Sequence, residues 1–202
     1  MIVLSFVTST IMLGCGGGGG TSNSESDIVS VTITLEKLPS TVTYNRAATP
    51  DGHVEFSWGV TFDINGDGAI NQGDVNLRLM HFKAPGSIET TGPISDFAAK
   101  LSLYISNTTT QSVAVASKLI SGNSITISID KSAHSSLATI SESTLVYFLT
   151  INRDDISGSG ANDHYPSFRT LVNIPTNKQF VDPRGDVLSG QEIDMVSMSL
   201  VF

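Results

Sequence analysis

From Asp27 onward, apolar and polar residues alternate with a period of two. Val29, Val31, Ile33 and Leu35 fall on one side of an extended chain, and Ser30, Thr32, Thr34 and Glu36 on the other, the pattern of a half-buried strand. Val54, Phe56, Trp58, Val60 and Phe62 repeat it, and the phase of Trp58 assigns its ring to the core. Leu101, Leu103 and Ile105 form a further set, as do Ile125, Ile127 and Ile129 after the turn Gly122-Asn123. Leu145, Tyr147, Leu149 and Ile151 oppose Val146 and Phe148, so this strand is expected to be central and buried on both faces. Val196, Met198, Leu200 and Phe202 close the chain. The stretch DVNLRLMHF at 74–82 fits the strand and helix periods almost equally and is read as a strand. KSAHSSLAT, at 131–139, has enough helical character for one or two turns. Short strands separated by turn residues predict an all-β fold, a two-sheet sandwich of immunoglobulin-like or jelly-roll type.

Two nine-residue stretches echo each other. DIVSVTITL at 27–35 and DMVSMSLVF at 194–202 share the order Asp, apolar, Val, Ser, apolar, hydroxyl, apolar. Chance similarity between strands is one reading; equivalent places in the sandwich for the first and last strands is the other.

Composition supports this picture. The 202 residues have room for one domain, and 40% hydrophobic content is enough for a sizeable core. Lys and Arg number 11 against 19 Asp and Glu, a formal charge of -8, which argues against nucleic acid as a partner and favours a cationic ligand.

One stretch carries recognisable chemistry. DINGDGAINQGD, residues 63–74, places Asp63, Asn65, Asp67, Asn71 and Asp74 at positions 1, 3, 5, 9 and 12 of a twelve-residue loop. Calcium takes six to eight hard oxygen ligands, and a loop can wrap it only if the chain turns sharply midway. Gly68 supplies that turn at position 6, Ala69 offers a backbone carbonyl at position 7, and Ile70 is placed to anchor the loop to the core. Ca2+ is therefore the expected ligand of Asp63, Asn65, Asp67, Ala69, Asn71 and Asp74. The loop resembles that of EF-hands and, in Asn71 and Asp74, the calcium segment of dockerins. The preceding HVEFSWGVTF reads as a strand and no second loop is present, so a structural staple is expected here, not a sensor. A metal-free Asn-Gly and Asp-Gly turn is the plainer alternative.

The N-terminus reads differently. MIVLSFVTSTIMLG, residues 1–14, is uncharged and mostly apolar, and it runs into the single cysteine, Cys15. This resembles the signal peptide and lipobox of bacterial lipoproteins, which implies lipidation of Cys15 and a lipid-anchored place in the cell envelope, at the outer membrane or cell surface. A buried N-terminal strand with an incidental cysteine is the alternative. The stretch from Cys15 to Ser26 is glycine- and serine-rich and reads as a tether. Its last eleven residues would reach roughly 17 to 20 Å. Residues 27–202 are then the folded domain.

Three further groups complete the inventory. Asp182, Asp186 and Asp194 form a second acidic cluster and a candidate second metal site. With DPRGD at 182–186, the passages FSWGVTFDINGDG, ITISIDKSAHSSL and EIDMVSMSLVF resemble the calcium-associated β-sandwiches of the DOMON and family 9 carbohydrate-binding type. That resemblance implies sugar recognition. Residues 153–169 read as a long loop in which Asp163, His164, Tyr165, Phe168 and Arg169 place rings beside polar groups, suiting a glycan or protein ligand; a solvated connection is the alternative. No nucleophile elbow, zinc-protease motif or phosphate loop is present, and His53, His81, His134 and His164 read as surface or capping residues. The expected protein is a non-catalytic, calcium-stapled envelope binding module. A purely structural envelope component stands second and a glycan-active enzyme third.

Overall fold

The computed structural model describes residues 27–44, 46–47, 49–152, 161–185 and 193–202. The expected signal peptide, Cys15, the tether, Asp186 and the first half of the 153–169 loop lie outside the described residues.

The chain is a β-sandwich with strands numbered in chain order. One sheet runs β13 (Gln179–Val181), β14 (Met195–Val201), β1 (Ile28–Leu35), β9 (Ser124–Asp130), β8 (Ser117–Ser121). The larger sheet runs β11 (Ala161–Tyr165), β10 (Leu145–Asn152), β3 (Val54–Asp63), β4 (Val75–Phe82), β6 (Ala98–Tyr104), β7 (Thr110–Val115), with β12 (Val172–Asn173) also on β10. A ribbon of β2 (Thr41–Thr43) and β5 (Thr91–Pro93) lies beside them. All pairings are antiparallel. The chain changes sheet between β7 and β8, where Ala116 N–H donates to the Ala99 carbonyl at 2.9 Å.

The alternating residues of both sheets meet in one core. Val31, Ile33, Ile127 and Met198 join Phe56, Trp58, Val60, Leu77, Leu79 and Phe148 in a single buried cluster. Each such side chain contributes roughly 1.5–3 kcal/mol on burial. β10 is central as expected, paired with β3 on one edge and with β11 and β12 on the other. Residues 75–82 are strand, and 131–139 form two short 3-10 turns, Lys131–Ala133 and Ser135–Thr139. On the outer face of β1, alternate hydroxyls pair with those of β9: Ser30 with Ser128 at 2.8 Å, Thr32 with Thr126 and Thr34 with Ser124 at 2.9 Å.

Two expectations of phase or placement are corrected, and the echo between the first and last strands finds its place. A bulge between Thr34 and Leu35 brings Met195 opposite Leu35, so Met195 enters the core in place of Val196. Ile105 lies past the end of β6 and is exposed. The echoing strands β1 and β14 are hydrogen-bonded neighbours in one sheet, Val31 opposite Leu200 and Ile33 opposite Met198. Similar sequences thus serve two adjacent strands that present apolar residues to the same core.

Candidate metal loop and the adjoining groove

The acidic loop joins β3 to β4, beginning on the last residue of one and ending just before the other. Its side chains are tied to its own backbone. Asp63 accepts from Gly66 N–H at 2.7 Å and Gly68 N–H at 3.0 Å. Asn65 Oδ1 accepts from Asp67 N–H and Asp67 Oδ1 from Ala69 N–H, both at 2.9 Å. Asp74 closes the loop, accepting from Ile64 N–H at 3.0 Å and Asn71 N–H at 2.8 Å. Gly68 takes φ +78°, the left-handed turn that position 6 demands.

The donor chemistry suits a hard cation. Side chains at positions 3, 5 and 9 touch: Asn71 Nδ2 donates to Asp67 Oδ2 at 2.5 Å, and Asn65 Nδ2 to Asn71 Oδ1 at 2.8 Å. A half-turn of an Asn amide exchanges nitrogen for oxygen. Among the described residues no three His, Cys, Asp or Glu side chains converge on one point. The residues that would hold calcium are therefore mixed: Asp63, Asp67 and Asp74 with Asn65, Asn71 and the Ala69 carbonyl. Burial pushes the Asp74 carboxyl above the usual carboxylate value, against the pull of Asn71 and Ile64 N–H, and the Asp63 charge adds to the rise. Exposed Asp67 is lowered by the Asn71 amide and then by Ala69 N–H.

Ile70 turns away from these oxygens. It packs with Tyr104 and Tyr147 in a second apolar cluster, bordered by Leu149 and Leu171, on the outer face of the larger sheet. Beside that cluster is a groove of about 440 Å³, within the roughly 300–1,000 Å³ range of ligand clefts. Arg78, Tyr104, Tyr147, His164, Phe168 and Arg169 line it. Its floor depends on Gly59 of β3, which pairs with Arg78 on one side and Leu149 on the other. A Cβ at Gly59 would collide with the Leu77 carbonyl and come within 2.6 Å of Arg78 Cγ. The missing side chain lets Arg78 lie across β3, half-buried, with Nη2 donating to the Tyr104 hydroxyl at 3.2 Å.

Strand alternation divides the five expected ligand residues. Residues 161–165 form β11, a strand within the expected loop, so His164 faces outward and Asp163 and Tyr165 face in. Asp163 is buried and accepts from Met195 N–H at 2.7 Å; Tyr165 packs edge-on against Phe148 and Phe180. Both belong to the core, and His164, Phe168 and Arg169 belong to the groove. Arg169 holds φ +53°, unusual for a side chain of this size. Its Nη2 donates to the Ile70 carbonyl at 2.6 Å and both terminal nitrogens to the Asn107 carbonyl at 3.1 Å, joining the acidic loop and the groove. Tyr147 OH lies 2.5 Å from His164 Nδ1. Burial raises the phenol to about 12 and lowers the imidazole below its ordinary value. A protonated phenol donating to Nδ1 leaves a neutral His164 with its proton on Nε2.

The other candidates part company. Asp182 and Asp194 are both buried at one end of the smaller sheet, and Asp194 Oδ2 accepts from Gly185 N–H at 2.8 Å. His134 caps a 3-10 turn as expected, accepting from Ser136 N–H at 3.3 Å. His81 is neither surface nor cap. It stacks on Tyr44 with ring centroids 4.4 Å apart, and Nδ1 lies 2.5 Å from buried Glu55, off the hydrogen-bond line. Glu55 occupies a bulge in β3 and is paired with Arg46 at 2.6 Å. Arg78, Tyr104 and Tyr147 are groove residues that were not among the expected ligand residues. The available signal was Gly59, since a glycine inside a strand of bulky residues marks a close approach by a neighbour.

No family model matches this chain, and no match was found among curated proteins or solved structures.

Proposed function

We propose that this chain is a calcium-binding lipoprotein of the cell envelope whose sandwich is a non-catalytic binding module for a glycan. Calcium acts as a staple between β3 and β4. The observation that supports it is the sharing of Ile70: the loop with calcium-type donors supplies, at its eighth position, an apolar side chain and a carbonyl to a ligand-sized groove. Rings, amides and hydroxyls along that groove suit a sugar's apolar faces and hydroxyls.

Calorimetric titration of calcium into the full chain, with melting curves in calcium and in chelator, tests the staple. At 100 times Kd the ion adds about 2.7 kcal/mol, a rise in Tm of roughly 5–10 °C for a chain this size. Asp63→Ala should abolish both heat and shift. Absence of heat and shift in the unmodified chain rejects the metal reading.

A further inference from the structure

The groove has a charge opposite to that of the protein around it. The chain carries -8, yet the groove's lining among the described residues includes the cations Arg78 and Arg169 and no Asp or Glu. Neither arginine has a carboxylate partner among the described residues. Arg78 is steadied by the Tyr104 hydroxyl, and Arg169 by two neutral carbonyls, so each guanidinium is oriented by neutral groups, with no carboxylate against it among the described residues. Keeping two such groups together is costly for a site meant for a neutral ligand and useful for one that brings an anion.

We infer that the groove takes an acidic glycan, a sugar chain whose carboxylate groups meet Arg78 and Arg169. This rests on the reading of the groove as a glycan site. Phe168, largely exposed and edge-on to His164 with centroids 5.0 Å apart, offers a ring to a sugar face. Asn107, Thr108, Thr110 and Asn162 supply amides and hydroxyls along the same lining, which suit sugar hydroxyls. Asp63, Asp67 and Asp74 belong to the same loop as Ile70, and a bound calcium would offset two of their three charges. Charge complementarity is thus best in the calcium-loaded protein.

The test uses the full calcium-loaded chain and three probes of equal length: a glucuronate-bearing oligosaccharide, its carboxyl-reduced counterpart and a sulfated counterpart. The expected result is binding of the glucuronate probe at least 10-fold tighter than the reduced one, weakening as salt rises. Arg78→Gln and Arg169→Gln should each reduce it at least 10-fold while the calcium-induced rise in Tm persists. The comparison of probes needs no variant, so it decides the matter even if Arg78→Gln fails to fold. Equal binding of glucuronate and reduced probes, or binding of the sulfated probe alone, overturns the carboxylate assignment and leaves the glycan reading standing. Binding to none of the three, in a protein that still responds to calcium, overturns both.

Discussion

Asp74 and Asp67 sit seven residues apart in the same loop and their carboxyls are displaced in opposite directions. In chelator, the raised Asp74 favours the fold when protonated. Its contribution is fully present below the ordinary value of 3.8 and is lost as pH rises through its higher folded value. The lowered Asp67 contributes above 3.8, and this is lost as pH falls through its lower folded value; full exposure keeps the effect small. On the proposed calcium reading the ion needs Asp74 ionised, so protons would compete with it at the closing residue first. The calcium-dependent rise in Tm should therefore shrink as pH falls from 7 towards the ordinary carboxylate value of 3.8. Melting curves with and without calcium across that range check it, and a rise that stays undiminished down to 3.8 would count against Asp74 as a ligand. At this scale the donor pattern of the loop was legible, because residue type and spacing are local. The inward turn of Asp163 and Tyr165 was not, because it depends on β11 pairing with β10.

Strands were legible wherever alternation ran unbroken, as in β1, β10 and the Phe56-to-Phe62 part of β3. Phase was lost where a bulge inserted a residue: at Leu35 opposite β14, and at Glu55 in β3, where His81 was drawn inward. A bulge is fixed by the partner strand, so one strand's sequence does not show it. Gly59 makes the complementary point about packing between strands. Gly59→Ala should cost about 1–3 kcal/mol, since the Leu77 carbonyl belongs to the sheet and cannot yield. Urea unfolding in saturating calcium measures this, and an unchanged midpoint would mean the floor of the groove is looser than its geometry implies. The same variant should displace Arg78.

For the whole molecule, the Arg169 link from Asn107 to Ile70 makes loop and groove parts of one structure. Such coupling is reciprocal: whatever calcium does for ligand affinity, ligand does for calcium affinity. Chelation should weaken binding of the glucuronate probe about 5-fold or more, and the bound probe should tighten calcium by the same factor. Matched titrations check both directions, and equal probe affinity in calcium and chelator would mean that the two sites are independent. The overall architecture was legible as an all-β sandwich, whereas the groove was not, since it is assembled from strands and loops as far apart in sequence as Gly52 and Arg169.

β1 lies between β14 and β9, bonded along both edges. Its rungs run across the strand and not along it. Tension applied through Asp27, where the chain enters β1, therefore loads two rows of bonds in shear at once and cannot peel them one by one. The strand nearest the expected anchor is the one best placed to bear mechanical load.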